Sequence, residues 1–179
     1  MRDGANRRTD AYGGVVENRI RLTLEVTKAV AAICNGGRTG LRISPISTAN
    51  GLSDSNPEPV FKALVDQLND IDLAYLHVVE GITRGPRIVK GGFNLDILRQ
   101  RFKGIYMANN GYDRDLAFAA RHNDTADLIA FGRPYIANPD LVTRLELNLS
   151  LNPLDNATAY GGGAAGYTDY PFLPANDPW

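Results

Sequence analysis

The feature that most constrains the fold is a regular alternation of short apolar runs with longer amphipathic stretches. Four runs have the length and composition of β-strands, and they cover residues 40–44, 73–79, 105–108 and 128–131. Between them lie segments whose apolar residues recur every three or four positions, which is typical of helices. Alternation at this spacing predicts parallel strands joined by right-handed crossovers, in a chain of the α/β class.

Glycine, proline and capping residues mark where the helices begin and end. Helices are predicted over 15–33, 57–68, 94–101, 113–120 and from 138 onward. Gly36 and Gly37 stop the first helix, and Asp113 is suited to cap the fourth. Cys34, at the end of the first helix, is expected to pack as a small apolar side chain.

Two architectures fit this order of elements. One is an open doubly wound sheet, and the other is half of a (β/α)8 barrel, whose full form needs about 250 residues. The chain has 179 residues, which predicts a single domain. Residues 1–14 are rich in turn formers and are predicted to form a loop, and residues 150–179 are predicted to form an ordered C-terminal tail.

Composition narrows the function classes. Nineteen basic and twenty acidic residues leave a net charge of −1, which argues against nucleic acid or an anionic membrane as the partner. No apolar run approaches the roughly 18 residues of a membrane span. The single cysteine and the polar N-terminus indicate a cytoplasmic protein. No cluster of cysteine and histidine indicates a metal site.

Two strand residues are candidates for ligand contact. Arg42 lies within the first strand, where a guanidinium needs an anionic or polar partner. It either faces a ligand or forms a structural ion pair, and the sequence leaves both open. His77, in the second strand, is expected to pack or to line a ligand. Glu80 follows that strand without a visible partner for acid–base chemistry.

Polar turns follow the third and fourth strands. Asn109, Asn110 and Gly111 follow the third strand, whereas Gly132 and Arg133 follow the fourth. In a barrel, the loops after the last two strands commonly bind phosphate through backbone N–H groups. Both turns are therefore candidates for a phosphate site, and ordinary turns remain the alternative interpretation.

Longer motifs across the whole chain resemble the Old Yellow Enzyme family of flavin-dependent ene-reductases. The matching segments are NRRTDAYGG (6–14), ENR (17–19), LRISP (41–45), SDSNPE (53–58), YLHV (75–78), FGRPYIANPDL (131–141) and GYTDYP (166–171). The resemblance implies the C-terminal half of a TIM-type (β/α)8 barrel, with four β/α units and a tail, residues 150–179, on the substrate side.

The resemblance also implies the chemistry. Members of this family contain FMN, take a hydride from NADPH or NADH, and pass it to an activated alkene. Arg42 corresponds to the arginine beside the flavin ring, where a fixed cation stabilises negative charge. Asn109 and Asn110 match the phosphate loop after the seventh strand of the barrel.

Two further assignments come from the same resemblance. Gly132 and Arg133 match the phosphate loop after the eighth strand, and Tyr160 matches an aromatic residue that borders the substrate pocket. The family's substrate-binding histidine and asparagine, its tyrosine proton donor and its other flavin-ring ligands belong to the N-terminal half of the barrel. No catalytic residue is therefore assigned in this chain.

A half-barrel has consequences for behaviour. Its outer strands have open edges and its inner face lacks partners, which favours association with another chain. We expect a fragment, the product of a mis-started reading frame, or one piece of a split enzyme. Such a chain should be inactive alone and pair with the missing N-terminal half or with a second copy. The alternative is a non-catalytic phosphate- or nucleotide-binding half-barrel that oligomerises.

Overall fold

The structure is a computed structural model that describes residues 1–83 and 85–174. Four strands form one parallel sheet: Gly40–Ile43 (β1), Tyr75–Val79 (β2), Tyr106–Asn109 (β3) and Leu128–Ala130 (β4). The α-helices are Val16–Cys34 (α1), Pro57–Leu68 (α2), Asp96–Arg101 (α3), Arg114–His122 (α4), Arg133–Ala137 (α5) and Leu141–Glu146 (α6). Each predicted strand and helix is present, with ends displaced by a few residues.

The order of the strands in the sheet separates the two architectures. It is β1-β2-β3-β4, so each strand pairs with the next one along the chain. A doubly wound sheet reverses its strand order at a switch point, whereas a barrel adds its strands in sequence around the axis. The sheet is therefore an arc of barrel type, and among the described residues β1 and β4 are its edges.

The two faces of the sheet differ in burial. Ile43, Val78 and Ala108 are in register, and all three are buried. The next register row carries Arg42, His77, Met107 and Leu128 on the opposite face, where Arg42 and Leu128 are exposed and the other two are partly buried. One face thus forms the core beneath the helices, and the face that would line a barrel is open.

Helix α2 supplies much of that core. Its fully or almost fully buried side chains recur at the spacing of one helical face: Val60, Phe61, Leu64, Val65 and Leu68. Pro57 begins the helix at a position where its missing N–H costs nothing. Burying a large apolar side chain contributes about 1.5–3 kcal/mol of transfer free energy. This face of α2 is therefore the main source of local stability.

Helix α1 buries one apolar stripe and exposes another. Ile20 and Leu24 are buried, whereas a second stripe lies at the surface, comprising Leu22, Val26, Val30 and Ile33. Ile33 is 86% exposed. The prediction that Cys34 packs as an apolar side chain is wrong. Cys34 is the last residue of α1, at an exposed end of the helix, and its thiol lies at the surface.

The N-terminal segment before α1 contains turns and bends without regular structure. Arg2 is buried and donates hydrogen bonds to the backbone oxygens of Ser44 and Ser47. Arg19 forms a salt bridge with Asp54 at 3.2 Å. These contacts tie residues 1–19 to the loop that follows β1, so the predicted loop 1–14 is anchored at that point.

The chain divides into two compact units, Met1–Ala130 and Phe131–Trp179. The second contains α5, a short helix that the sequence patterns did not predict. In this unit the buried Arg144 pairs with Asp140 at 2.6 Å and donates to the backbone oxygens of Ser150 and Pro171. The single-domain assignment stays a prediction, and residues 175–179 of the predicted tail lie outside the described residues.

Candidate functional site

Arg42 lies on the open face of the sheet. It is exposed, and within residues 1–83 and 85–174 it makes no hydrogen bond and no ion pair. The structural ion pair that the sequence left open is not observed in this part of the chain. A fixed strand that presents an uncommitted guanidinium offers a binding group for an anionic or hydrogen-bond-accepting ligand.

His77 is the register neighbour of Arg42 on the same face. Its Nε2 atom is buried without a hydrogen-bond partner among the described residues. Burial, together with the nearby charge of Arg42, lowers the pKa of this imidazole below its ordinary value of 6.5. The ring is therefore neutral at pH 7, and Nε2 is a buried polar atom that no described residue satisfies.

The turn after β3 has an unusual backbone. Asn110 and Gly111 both have positive φ, at 104° and 68°, a conformation that glycine tolerates and asparagine adopts more readily than most residues. The described residues supply no hydrogen-bond acceptor to the backbone N–H groups of Gly111 and Tyr112. An added Cβ at Gly111 would meet no atom within 4 Å. The turn therefore presents free donors with open space in front of Gly111.

The side chains of the two asparagines hold this turn in place. Asn109 Nδ2 donates to the backbone oxygen of Ala130 at 2.6 Å. Asn110 Nδ2 donates to the backbone oxygens of Glu80 and Ile82. Each asparagine side chain is thus oriented by a neighbouring strand end, and the backbone N–H groups of Gly111 and Tyr112 remain as free donors.

The loop after β4 belongs to the second unit. Gly132 precedes α5 and is exposed, and an added Cβ would meet no atom within 4 Å. Arg133 is also exposed and forms no ion pair with any described residue. Tyr160 is 71% exposed in the same unit. The sequence-based roles of these three residues stay predictions.

A cluster that the sequence did not predict joins the loops after β2 and β3. Glu80 Oε2 accepts a hydrogen bond from the Tyr112 hydroxyl at 2.9 Å and pairs with Arg87 Nη1 at 3.1 Å. Burial, and secondarily Glu80, raises the pKa of Tyr112 above its ordinary value. The partners of Glu80 are 7 and 32 residues away, and the only signal in the sequence is that Glu80 and Tyr112 follow neighbouring strands.

A cleft of about 530 Å³ lies between the loop after β1 and residues 89–93. Two carboxylates line it, Asp54 and Glu58. Asp54 pairs with Arg19 at 3.2 Å and Glu58 pairs with Lys62 at 3.3 Å. Because both carboxylates already have cationic partners, the cleft offers no free acid–base pair.

Two classes of feature are not found among the described residues. No helix there is long and apolar enough to cross a membrane. No group of three or more histidine, cysteine, aspartate or glutamate side chains in that part of the chain could hold a metal ion.

Four parallel strands in sequential order, with an open inner face, define a protein of the barrel-type α/β class. The model of the NADH:flavin oxidoreductase / NADH oxidase family matches residues 1–152, and the chain belongs to this family of oxidoreductases. This confirms the resemblance on which the sequence-based expectations rest.

Individual relatives and solved structures agree with this family assignment. The 12-oxophytodienoate reductase 1 of Oryza sativa subsp. japonica is 42% identical over 182 residues, covering 99% of this chain and 47% of that protein. Morphinone reductase in complex with tetrahydroNAD is 45% identical with a TM-score of 0.89, covering 99% of this chain and 48% of that one. The old yellow enzyme from Trypanosoma cruzi is 35% identical with a TM-score of 0.90, and the match covers 97% of this chain and 46% of that one.

These comparisons confirm the half-barrel. The chain spans about half the length of the proteins it matches, and it superimposes on them with four strands in barrel order. The family description names NADH and a flavin, in agreement with the expected nicotinamide donor and the expected FMN cofactor.

Proposed function

We propose that this chain is the flavin-binding half of an FMN-dependent ene-reductase that uses NADPH or NADH to reduce activated C=C bonds. The observation that carries the proposal is the unpartnered guanidinium of Arg42 on the open face of a sheet whose family binds flavin. The free N–H groups at Gly111 and Tyr112 fit the same group, since an FMN molecule combines a polar ring edge with a phosphate.

Each residue has a distinct role in this proposal. Arg42 places positive charge beside the pyrimidine edge of the ring, where a fixed cation favours added negative charge. The turn held by Asn109 and Asn110 donates backbone N–H groups to the phosphate. When bound, FMN would supply the hydride-transfer chemistry between the nicotinamide donor and the alkene.

The sequence resemblance adds three residues of the second unit. Gly132 and Arg133 are proposed to contact phosphate, since an exposed glycine permits close approach and an uncommitted guanidinium can neutralise charge. Tyr160 is proposed to border the alkene. These assignments rest on the motif FGRPYIANPDL and on the exposure of the residues.

We also propose that these 179 residues alone turn over no alkene. The free groups on the described residues serve a flavin, and the chain covers about half of its relatives. The resemblance places the family's substrate-binding histidine and asparagine in the other half of the barrel. Each hydrogen-bond donor that stabilises negative charge developing on the substrate contributes a factor of about 10²–10³ to the rate. A complementary half-barrel, or a second copy of the chain, is the proposed partner.

A second candidate function is a colourless phosphate- or nucleotide-binding half-barrel that works as an oligomer. The observation that favours it is the pair of strand edges, β1 and β4, together with the exposed stripe on α1. Addition of NADPH discriminates the two functions. A reconstituted flavoprotein loses its yellow colour anaerobically, whereas a binding module shows no change in its visible spectrum.

Hydrogen–deuterium exchange tests the placement of the flavin. We expect millimolar FMN to slow amide exchange at residues 110–112, and at 132–133 if the second unit contributes. Protection confined to 110–112 would remove Gly132 and Arg133 from the site. No protection at either segment would contradict the proposed function.

A further inference from the structure

We propose that Glu80, acting through Tyr112 and Arg87, is a positioning residue that fixes the Asn110–Gly111 turn for the phosphate of the flavin. The inference rests on the proposed function, and it assigns a role to a carboxylate that touches neither the flavin nor the substrate.

Three side chains form a closed cluster around one carboxylate oxygen. The Tyr112 hydroxyl donates to Glu80 Oε2 at 2.9 Å, and Arg87 Nη1 lies 3.1 Å from the same oxygen. The guanidinium carbon of Arg87 also lies 5.2 Å from the centroid of the Tyr112 ring. Each member therefore contacts the other two, which restricts the rotamers of all three.

The turn is held on both sides, and the cluster supplies the anchor on the C-terminal side. Tyr112 immediately follows Gly111, so its hydroxyl bond anchors the C-terminal side of the turn to Glu80. On the N-terminal side, the Asn110 amide donates to the backbone oxygens of Glu80 and Ile82. Two consecutive residues with positive φ are thereby tied, through side chains, to the chain that leaves β2.

The burial of the cluster explains why its integrity matters. The side chain of Glu80 is 15% exposed, and Tyr112 is 9% exposed. A carboxylate so far removed from water requires its partners, and loss of the Tyr112 hydroxyl leaves an oxygen of Glu80 short of one hydrogen bond. The local structure then relaxes, and the parts free to move are the loops, because β2 and β3 are held by the parallel ladder.

The mechanical consequence is specific to phosphate. A turn that loses its Tyr112 anchor still leaves Arg42 in place on β1, so binding of the flavin ring is retained and the contribution of the phosphate falls. The ratio of the riboflavin and FMN dissociation constants reports that contribution, because the two ligands differ by the phosphate alone.

The test compares Tyr112→Phe with Tyr12→Phe in the 179-residue chain. Tyr12 donates to Glu25 at 3.0 Å, so the control removes another tyrosine–glutamate hydrogen bond of the same unit without touching the turn. We expect Tyr112→Phe to lower the preference for FMN over riboflavin about tenfold, with riboflavin affinity unchanged, and Tyr12→Phe to leave both unchanged. Equal preference in Tyr112→Phe and the wild type would overturn the inference.

Two further experiments keep the test valid if one variant misfolds. One is a second variant, and the other is a measurement that needs no ligand. Glu80→Gln keeps an acceptor for the tyrosine hydroxyl but removes the ion pair with Arg87, so we expect a smaller loss of FMN preference. The ¹H–¹⁵N heteronuclear NOE of Asn110 and Gly111 should fall in Tyr112→Phe and stay unchanged in Tyr12→Phe. An unchanged NOE in Tyr112→Phe would also overturn the inference.

Failure of the proposed function gives a different result. If the wild-type chain binds FMN no better than riboflavin, the phosphate role of the turn is wrong and the inference falls with it, whatever the variants show. If the wild type prefers FMN and Tyr112→Phe keeps that preference, the proposed function stands and only the role of Glu80 is refuted.

Discussion

Replacing Arg42 by methionine should separate binding from stability. Arg42 is exposed and unpaired among the described residues, and its charge acts unfavourably on the neighbouring His77. Removing it therefore breaks no internal contact, and we expect the free energy of unfolding to change by no more than about 0.5 kcal/mol. The methionine keeps a long side chain on the strand without the charge.

The expected effect on binding is much larger. A hydrogen bond to a charged group contributes about 1.5–3 kcal/mol, which corresponds to a loss of FMN affinity of about tenfold to a hundredfold. Urea denaturation measures the first quantity, and flavin fluorescence titration measures the second. The control is Arg101→Met, which removes a cation that pairs with Asp66 and has no proposed role in binding.

Two results would refute this reasoning. A loss of stability of more than about 1 kcal/mol in Arg42→Met would show that the guanidinium has a structural partner after all. Unchanged FMN affinity in a stable Arg42→Met variant, or an equal loss in Arg101→Met, would show that this cation does not recognise the flavin.

Three other outcomes are expected. Because the pKa of His77 is lowered in the folded chain, the unfolded chain binds the proton more tightly, so the free energy of unfolding should fall as the pH drops through 6.5; urea titrations at pH 7 and pH 5 should show a smaller fall in His77→Asn, and an identical fall would refute the shift. Arg144→Met should destabilise the second unit by about 3–5 kcal/mol, because it removes the buried guanidinium that pairs with the largely buried Asp140; limited proteolysis after α6 checks this, and wild-type resistance would contradict it. Analytical ultracentrifugation should show self-association of the chain through its open sheet edges, and a monomer that persists on dilution would count against it.

The fold was predictable to the extent that local periodicity determines it. The apolar faces of α1 and α2 and the continuous apolar character of β2 are carried by neighbouring residues, so the sequence shows them directly. The choice between a doubly wound sheet and a barrel was not local, because it depends on the order in which strands pair. The short helix α5 was missed, since five residues with proline among them carry no readable period.

The sequence singled out candidate site residues but not their contacts, and their roles in binding stay predictions. Arg42 and the turn at Asn109–Asn110 were found from an unusual charge and a turn motif after neighbouring strands. The sequence could not show that both asparagine side chains bind carbonyl oxygens and leave the backbone as the donor. The sequence also did not identify a partner for Glu80, because Tyr112 becomes its neighbour only when β2 and β3 pair.

The most direct test of the central claim is an absorption titration of FMN with the purified 179-residue chain. If the open face of the sheet and the turn after β3 bind the flavin, its visible bands should shift and sharpen to a saturable limit, and the change should weaken in Arg42→Met. A spectrum that remains that of free FMN at millimolar concentrations of the chain would contradict the claim.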